Sequence, residues 1–463
     1  MFSTHKNKVL ILSGTILSII FINWACSKVD TDYTAPETEW LTGGSQTFFD
    51  GGNGAFGHAF NGMTAAQDKV HEIGDLVFEA TFVSSPAPKN PGLGPLFNNV
   101  SCNSCHIGDG RSKIIGSDNS IATLFRVSLP GTNEHGEPLP VPGFGHQIQT
   151  SATAGKVREA IVRIAYTEKQ FKLDDGTPYS LRYPTYSVEN AYINFPSNAL
   201  LSPRSAQPVF GLGLLDAIDE ATILGFAAAQ AKANDGISGR ANYVWDAQKQ
   251  KTVLGKYGWK ANQPSLLQQV AAAFNQDIGI TTPYFPVENS YGQPQHELYS
   301  NQPEITDSLL HAVEFYIRSL GVPGRRNATN TDVVAGKKIF VNIGCASCHI
   351  PAVRTKVNVA FPAVSNQLIQ PYTDLLLHDM GEDLADNRPD FLASGREWRT
   401  QPLWGIGLTQ RVNGHTQYLH DGRARNLTEA IMWHGGEAEK ARNQFKALSA
   451  TERNQIIKFL ESL

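Results

Sequence analysis

Sulfur is scarce in this chain. Its 463 residues include five cysteines and four methionines. So few thiols exclude a disulfide-dense scaffold, and each cysteine has to be accounted for singly. Methionine is absent from the whole stretch between His106 and Met380. A large excess of charge of one sign is absent too. Charged residues are 18%, apolar residues 41% and the net charge is −4. That balance offers neither a basic patch for nucleic acid nor an acidic tail. The apolar run from Val9 to Ile22 falls short of the roughly 20 residues that a membrane-spanning helix needs.

That short run has another use. Lys6 and Lys8 precede it and Asn23-Trp24-Ala25-Cys26 follow, which is the layout of an export signal. A small residue directly before a cysteine resembles the bacterial lipoprotein signal and implies cleavage ahead of a lipidated Cys26. The expectation is a signal peptide over 1–25, a flexible tether over 26–44, and an exported lipoprotein of the periplasm or cell surface. Its lipid anchor would hold it to a membrane, the outer membrane by preference.

The four remaining cysteines fall into two C-x-x-C-H pentads, Cys102-Asn103-Ser104-Cys105-His106 and Cys345-Ala346-Ser347-Cys348-His349. Two thiols three residues apart on a helical turn reach both vinyl groups of one haem, and the adjacent histidine meets the iron. The competing readings are a redox dithiol, a zinc knuckle and a disulfide. Two pentads in an exported chain, each ending in His, favour two covalently bound haem c groups, with His106 and His349 on the irons.

At this length two domains are expected. Gly94-Pro95-Leu96-Phe97 leads into the first pentad and Gly336-Lys337-Lys338-Ile339-Phe340 into the second. Each half closes with an apolar-periodic helix, one ending near Leu320 and one at Leu463. Ser449 with Glu452 forms a capping box, and Ile456, Ile457, Leu460 and Leu463 then share a face. The breaker-rich stretch 321–331 reads as a linker. The expected fold is mainly α, with two cytochrome c-like haem domains, 45–320 and 332–463. The first carries a long insertion, mixed α/β or irregular.

Haem iron needs a sixth ligand or an open face, and that choice separates electron transfer from catalysis. Asn426 and Glu429 cap a short helix that Gly435-Gly436 ends. At 100° per residue Leu427, Ile431 and His434 share one face while Met432 points away, which makes His434 the candidate distal ligand of the second haem. A surface histidine at a helix C-terminus is the competing reading. His58 and His71 are candidates for the first iron, against a structural role for each. Trp245, Trp259, Trp404 and Trp433 are candidates to carry electrons between haems, against ordinary core packing.

By these residues the chain acquires a family resemblance. Leu377-His378-Asp379-Met380-Gly381, Gly395-Arg396, Thr400-Gln401-Pro402-Leu403 and Tyr418-Leu419-His420-Asp421-Gly422-Arg423 resemble the C-terminal half of bacterial dihaem cytochrome c peroxidases. A closer resemblance is to the bacterial di-haem oxidoreductase family of peroxidase-like proteins, some labelled thiol oxidoreductases. It rests on Gly211-Leu212-Gly213-Leu214-Leu215, Asp235-Gly236-Ile237-Ser238-Gly239-Arg240, Gly258-Trp259-Lys260-Ala261 and Trp433-His434-Gly435-Gly436. A thiol mechanism would have no nucleophile here, because haem attachment and lipidation would use all five cysteine sulfurs.

The resemblance implies a peroxidase-like oxidoreductase in which the second haem relays electrons to a reactive first haem. Its partners would be peroxide or another small oxidant, and a small redox protein or quinol-linked electron donor. His at position 434, where the peroxidases have Met or Tyr, implies a lower-potential iron. The resemblance also implies a carboxylate that moves a proton between peroxide oxygens, for which Glu220 is the candidate. The competing reading is an exposed glutamate opening a helix. His378 and His420 are expected to shape the second haem's pocket or meet its propionates. Asp235 with its glycine-rich turn suggests a calcium loop, against a simple Asx turn. The alternative to catalysis is a dihaem electron-transfer lipoprotein with both irons six-coordinate.

Overall fold

The computed structural model describes residues 39–114, 123–297 and 303–463. The stretch 1–25 read as a signal peptide, Cys26 and most of the stretch read as a tether lie outside these residues. Helix makes up 32% and strand 20%, the strand divided among many small antiparallel sheets. The expectation of a mainly α protein built from two cytochrome c-like domains is therefore corrected. Many strands are two or three residues long and pair with distant segments, so no local alternation announces them.

The longest pairing lies within the insertion. Ile161–Lys172 and Pro178–Glu189 form an antiparallel hairpin in register from Ile161 with Glu189 to Lys172 with Pro178. Val162 and Ile164 at its base pack with Phe125, Val127 and Ile148. Leu173 and Leu181 at its tip join a different cluster, around Trp433 and Phe459. The hairpin thus ties the insertion to the second half.

Two helix crossings frame the pentads. Ala65–Glu79, with a Thr64/Gln67 capping box, packs against Asp307–Arg318. Thr331–Asn342 packs against Ala450–Ser462, which starts at the expected Ser449/Glu452 box and buries Ile456 and Leu460. A glycine sits at each crossing. A Cβ on Gly74 would stand 2.0 Å from the Ala312 oxygen, and one on Gly336 1.9 Å from the Gln455 oxygen. Only glycine lets the backbones come that close.

The described residues belong to one compact unit. The start of the stretch read as a linker is interior to it. Val322 and Pro323 pair in parallel with Thr47 and Phe48, and the buried Arg325 donates to Glu39 at 2.5 Å. Residues 39–44, read as tether, are largely buried as well, with Thr42 donating to the Pro323 oxygen at 2.6 Å. Val353, Phe361, Ile369 and Leu376, all beyond the second pentad, belong to the core of the first half. No helix among the described residues is long and apolar enough to cross a membrane.

Gly74→Ala and Gly336→Ala should each force a helix pair apart and lower stability by ~1–3 kcal/mol. Thermal denaturation checks this, and a variant as stable as the parent would count against a backbone-to-backbone crossing.

Candidate functional site

Each pentad is folded by its immediate neighbours. Ser101 caps the single helical turn Cys102–Cys105, its hydroxyl accepting from the Ser104 N–H at 3.0 Å. Gly344 at φ 90° starts the second turn, Cys345–Ser347. The His106 Nδ1–H donates to the Gln207 carbonyl at 2.7 Å, and the His349 Nδ1–H to the Tyr372 carbonyl at 2.9 Å. A carbonyl only accepts, so each ring is fixed with its proton on Nδ1 and a lone pair on Nε2. Burial lowers the pKa of His106, and that of His349 to about 4, so both rings are neutral near pH 7.

His434 repeats the pattern. Its Nδ1–H donates to the Ala430 carbonyl at 2.7 Å, and burial lowers its pKa. The helix Leu427–Met432 starts at Asn426, whose side chain accepts from the Glu429 N–H at 2.8 Å. Leu427, Ile431 and His434 face the cavity while Met432 is buried in the core behind them.

Both pentads and His434 line one cavity of about 1230 Å³. That exceeds the roughly 300–1,000 Å³ of a site for one small molecule. Its walls are mostly apolar side chains, among them Phe56, Phe274, Val313 and Ile317. Two large flat apolar groups held by paired thiols and neutral imidazoles fit this donor set and this space. The competing readings fit less well. Burial pushes the thiols of Cys102, Cys105 and Cys345 up to about 12 and raises that of Cys348, the reverse of an activated redox dithiol. Among the described residues the one cluster of potential metal donors is Cys348, Asp374 and His378, so the four pentad sulfurs do not converge on a zinc site.

The other sequence candidates are dispersed. Glu220 is exposed on the first turn of Glu220–Ala233, outside the cavity. His58 pairs with Asp50 at 2.8 Å and His71 with the Ser319 hydroxyl at 2.8 Å, and neither lines the cavity. Trp259 and Trp404 line it, Trp433 packs against Tyr183 beside it, and Trp245 stacks on His135. Asp235 accepts from the Ile237 N–H at 3.2 Å, an Asx turn.

His378 is taken. Its ring contacts Asp374 at 2.9 Å through Nε2 and Glu437 at 2.7 Å through Nδ1. Burial opposes its charge, but hydrogen bonds to Asp374, Cys348 and Glu437 outweigh burial and push its pKa up to about 12. It is a buried imidazolium that braces the strand Leu377–Asp379 behind the second pentad.

Sequence reasoning missed Asp277. It sits on a π-helical turn, Phe274–Ile278, that continues the helix Leu266–Ala273. Such turns push one residue out of helical register, often at functional sites, and no sequence period marks them. Asp277 lines the cavity, accepts from Gln147 Nε2 at 2.8 Å, and lies near enough for its charge to bear on both Cys102 and Cys105. Burial raises its pKa, with Arg126 and Gln147 opposing.

A family model described as "Di-haem oxidoreductase, putative peroxidase" matches residues 37–463. No curated protein matches the sequence. Among solved structures, a chain of Kuenenia stuttgartiensis hydrazine synthase, pressurised with xenon, aligns at 21% identity with a TM-score of 0.24. The alignment covers 35% of this chain and 57% of that one.

His378→Ala should cost ~3–5 kcal/mol, because it strips a buried cation from two carboxylates. A raised pKa means that the charge stabilises fully below the unfolded value of about 6.5 and progressively less as pH rises toward about 12. Urea denaturation of parent and variant should therefore differ most at acid to neutral pH. A gap that stays constant into the alkaline range would overturn the imidazolium.

Proposed function

The chain belongs to the di-haem oxidoreductase family, and from that premise we propose that it is a peroxidase-like enzyme with one c-type haem on each pentad. The first haem, on Cys102, Cys105 and His106, is the reactive one. The second, on Cys345, Cys348 and His349 with His434 as sixth ligand, relays electrons to it. The observation that carries this reading is the single cavity reached by both pentads and by His434. When bound, such haems take up and pass on single electrons, and an iron with an open position binds a small oxidant.

The chain's own residues supply the rest. His106, His349 and His434 each have Nδ1 tied to a carbonyl, so each ring is oriented before any metal binds. The apolar wall excludes water. Asp277, held by Gln147 and facing Arg126, is the buried carboxylate available to move a proton at the first centre, the part that the family resemblance implied for Glu220. The leader supports export and a lipid anchor at Cys26, with electrons arriving from a small redox protein or a quinol-linked donor.

Low-temperature electron paramagnetic resonance of the oxidised protein tests the assignment. We expect one high-spin and one low-spin haem, with the low-spin signal altered or lost in favour of high spin in His434→Ala. Two low-spin haems would shift the reading to electron transfer. His434→Met should raise the potential of one haem alone, since Met in place of His favours the reduced iron. Chain made without haem attachment should show weak near-ultraviolet dichroism and no cooperative thermal transition, which calorimetry can check.

A further inference from the structure

Two buried arginines in the cavity wall have no anionic partner among the described residues. Arg111, five residues past His106, donates from Nη2 to the Leu419 carbonyl at 2.9 Å, and its Nε is buried without a partner. Its guanidinium lies over the rings of Trp259 and Tyr418. Arg399, on the strand Glu397–Arg399, donates from Nε to the Gly258 carbonyl at 2.9 Å and from Nη2 to Gln401 Oε1 at 2.8 Å. Its Nη1 is buried without a partner. Arg111 is 9% and Arg399 4% exposed, and both line the cavity.

The two converge on one turn, Gly258–Trp259, where the Arg399 N–H also donates to the Trp259 carbonyl at 2.9 Å. Each reaches across the halves of the chain. Arg111 leaves the first pentad for a carbonyl of the second half. Arg399 connects through Gln401 to Gln207, whose carbonyl holds His106. Other buried cations of this region are neutralised within the protein: Arg204 and Lys260 by Asp386, and Arg423 by Asp421. Burial lowers both unpaired guanidiniums to about 10, so they remain charged at neutral pH. A desolvated charge with an unused N–H is costly unless an anion meets it, and a guanidinium fork matches a carboxylate best.

The geometry points to Arg111 and Arg399 as the seat of the haem propionates, where carboxylates of the cofactors take the unused N–H groups. This rests on the di-haem reading. It replaces the expectation that His378 meets a propionate, since both nitrogens of that ring are committed to Asp374 and Glu437. It also explains why two buried cations of this wall keep N–H groups without a partner. Their partners arrive with the cofactors.

The test is resonance Raman spectroscopy of the propionate bending bands, with redox titration alongside, on the haem-loaded protein and on Arg111→Leu, Arg399→Leu and the two Lys variants. Each Leu variant should shift the bands and lower the midpoint potential of at least one haem, because loss of a nearby cation favours the oxidised iron. The Lys variants keep the charge and should hold the potential near the parent's while still shifting the bands, and they decide the matter if the Leu variants do not fold. Mass spectrometry separates the two ways to fail. A chain with both haems attached and bands unshifted in the Lys variants overturns the arginine seat alone, whereas a chain without covalent haem overturns the attachment and the seat together.

Discussion

The structure depends on one cavity that two distant turns have to reach together. The cavity, about 1230 Å³, is walled mostly by apolar side chains drawn from both halves of the chain, and a group bound there would take that surface out of water. The interleaving of the chain follows from the same constraint. Residues beyond the second pentad complete the core of the first half, and the hairpin of the first half inserts its tip into the core of the second. Two self-contained domains would each close over their own group, whereas here one unit closes over both pentads.

Electrostatics around the cavity obey a simple division. The imidazoles of His106, His349 and His434 are neutral, because burial disfavours their charged form, and the one N–H of each donates to a backbone carbonyl. His378, in the same wall, is charged, because two carboxylates hold it. Position in the chain does not set the difference, since His378 and His349 belong to the same half. What each ring nitrogen finds as a partner does.

What the sequence revealed was local. A pentad, a capping box and the face shared by Leu427, Ile431 and His434 each span a few residues, and each is present in the structure. The mainly α expectation failed because pairings such as Thr47–Phe48 with Val322–Pro323 join segments that carry no strand pattern of their own. Glu220 was chosen for its place along the chain, but a helix that starts at the surface leaves its first glutamate in solvent. Asp277 could not be read at all, because it reaches the cavity only through an irregular helical turn. The arginines were equally hidden, since an unpaired guanidinium is a property of three-dimensional surroundings.

The two centres differ in what faces them, and that difference bears on the chemistry. The helix that bears His434 offers the second centre an oriented imidazole. The wall from Leu266 to Ile278 near the first pentad offers aliphatic and aromatic side chains, an amide from Gln269 and the Asp277 carboxylate, with no histidine or methionine. The remaining histidines of the cavity are engaged elsewhere: His378 in its ion pairs, and His420 stacked flat on Trp398 with ring centroids 3.8 Å apart. Near the first pentad the cavity wall thus carries a buried carboxylate among apolar side chains. An oriented imidazole at one pentad and a buried carboxylate near the other is the kind of asymmetry that the proposed relay to a reactive site would use.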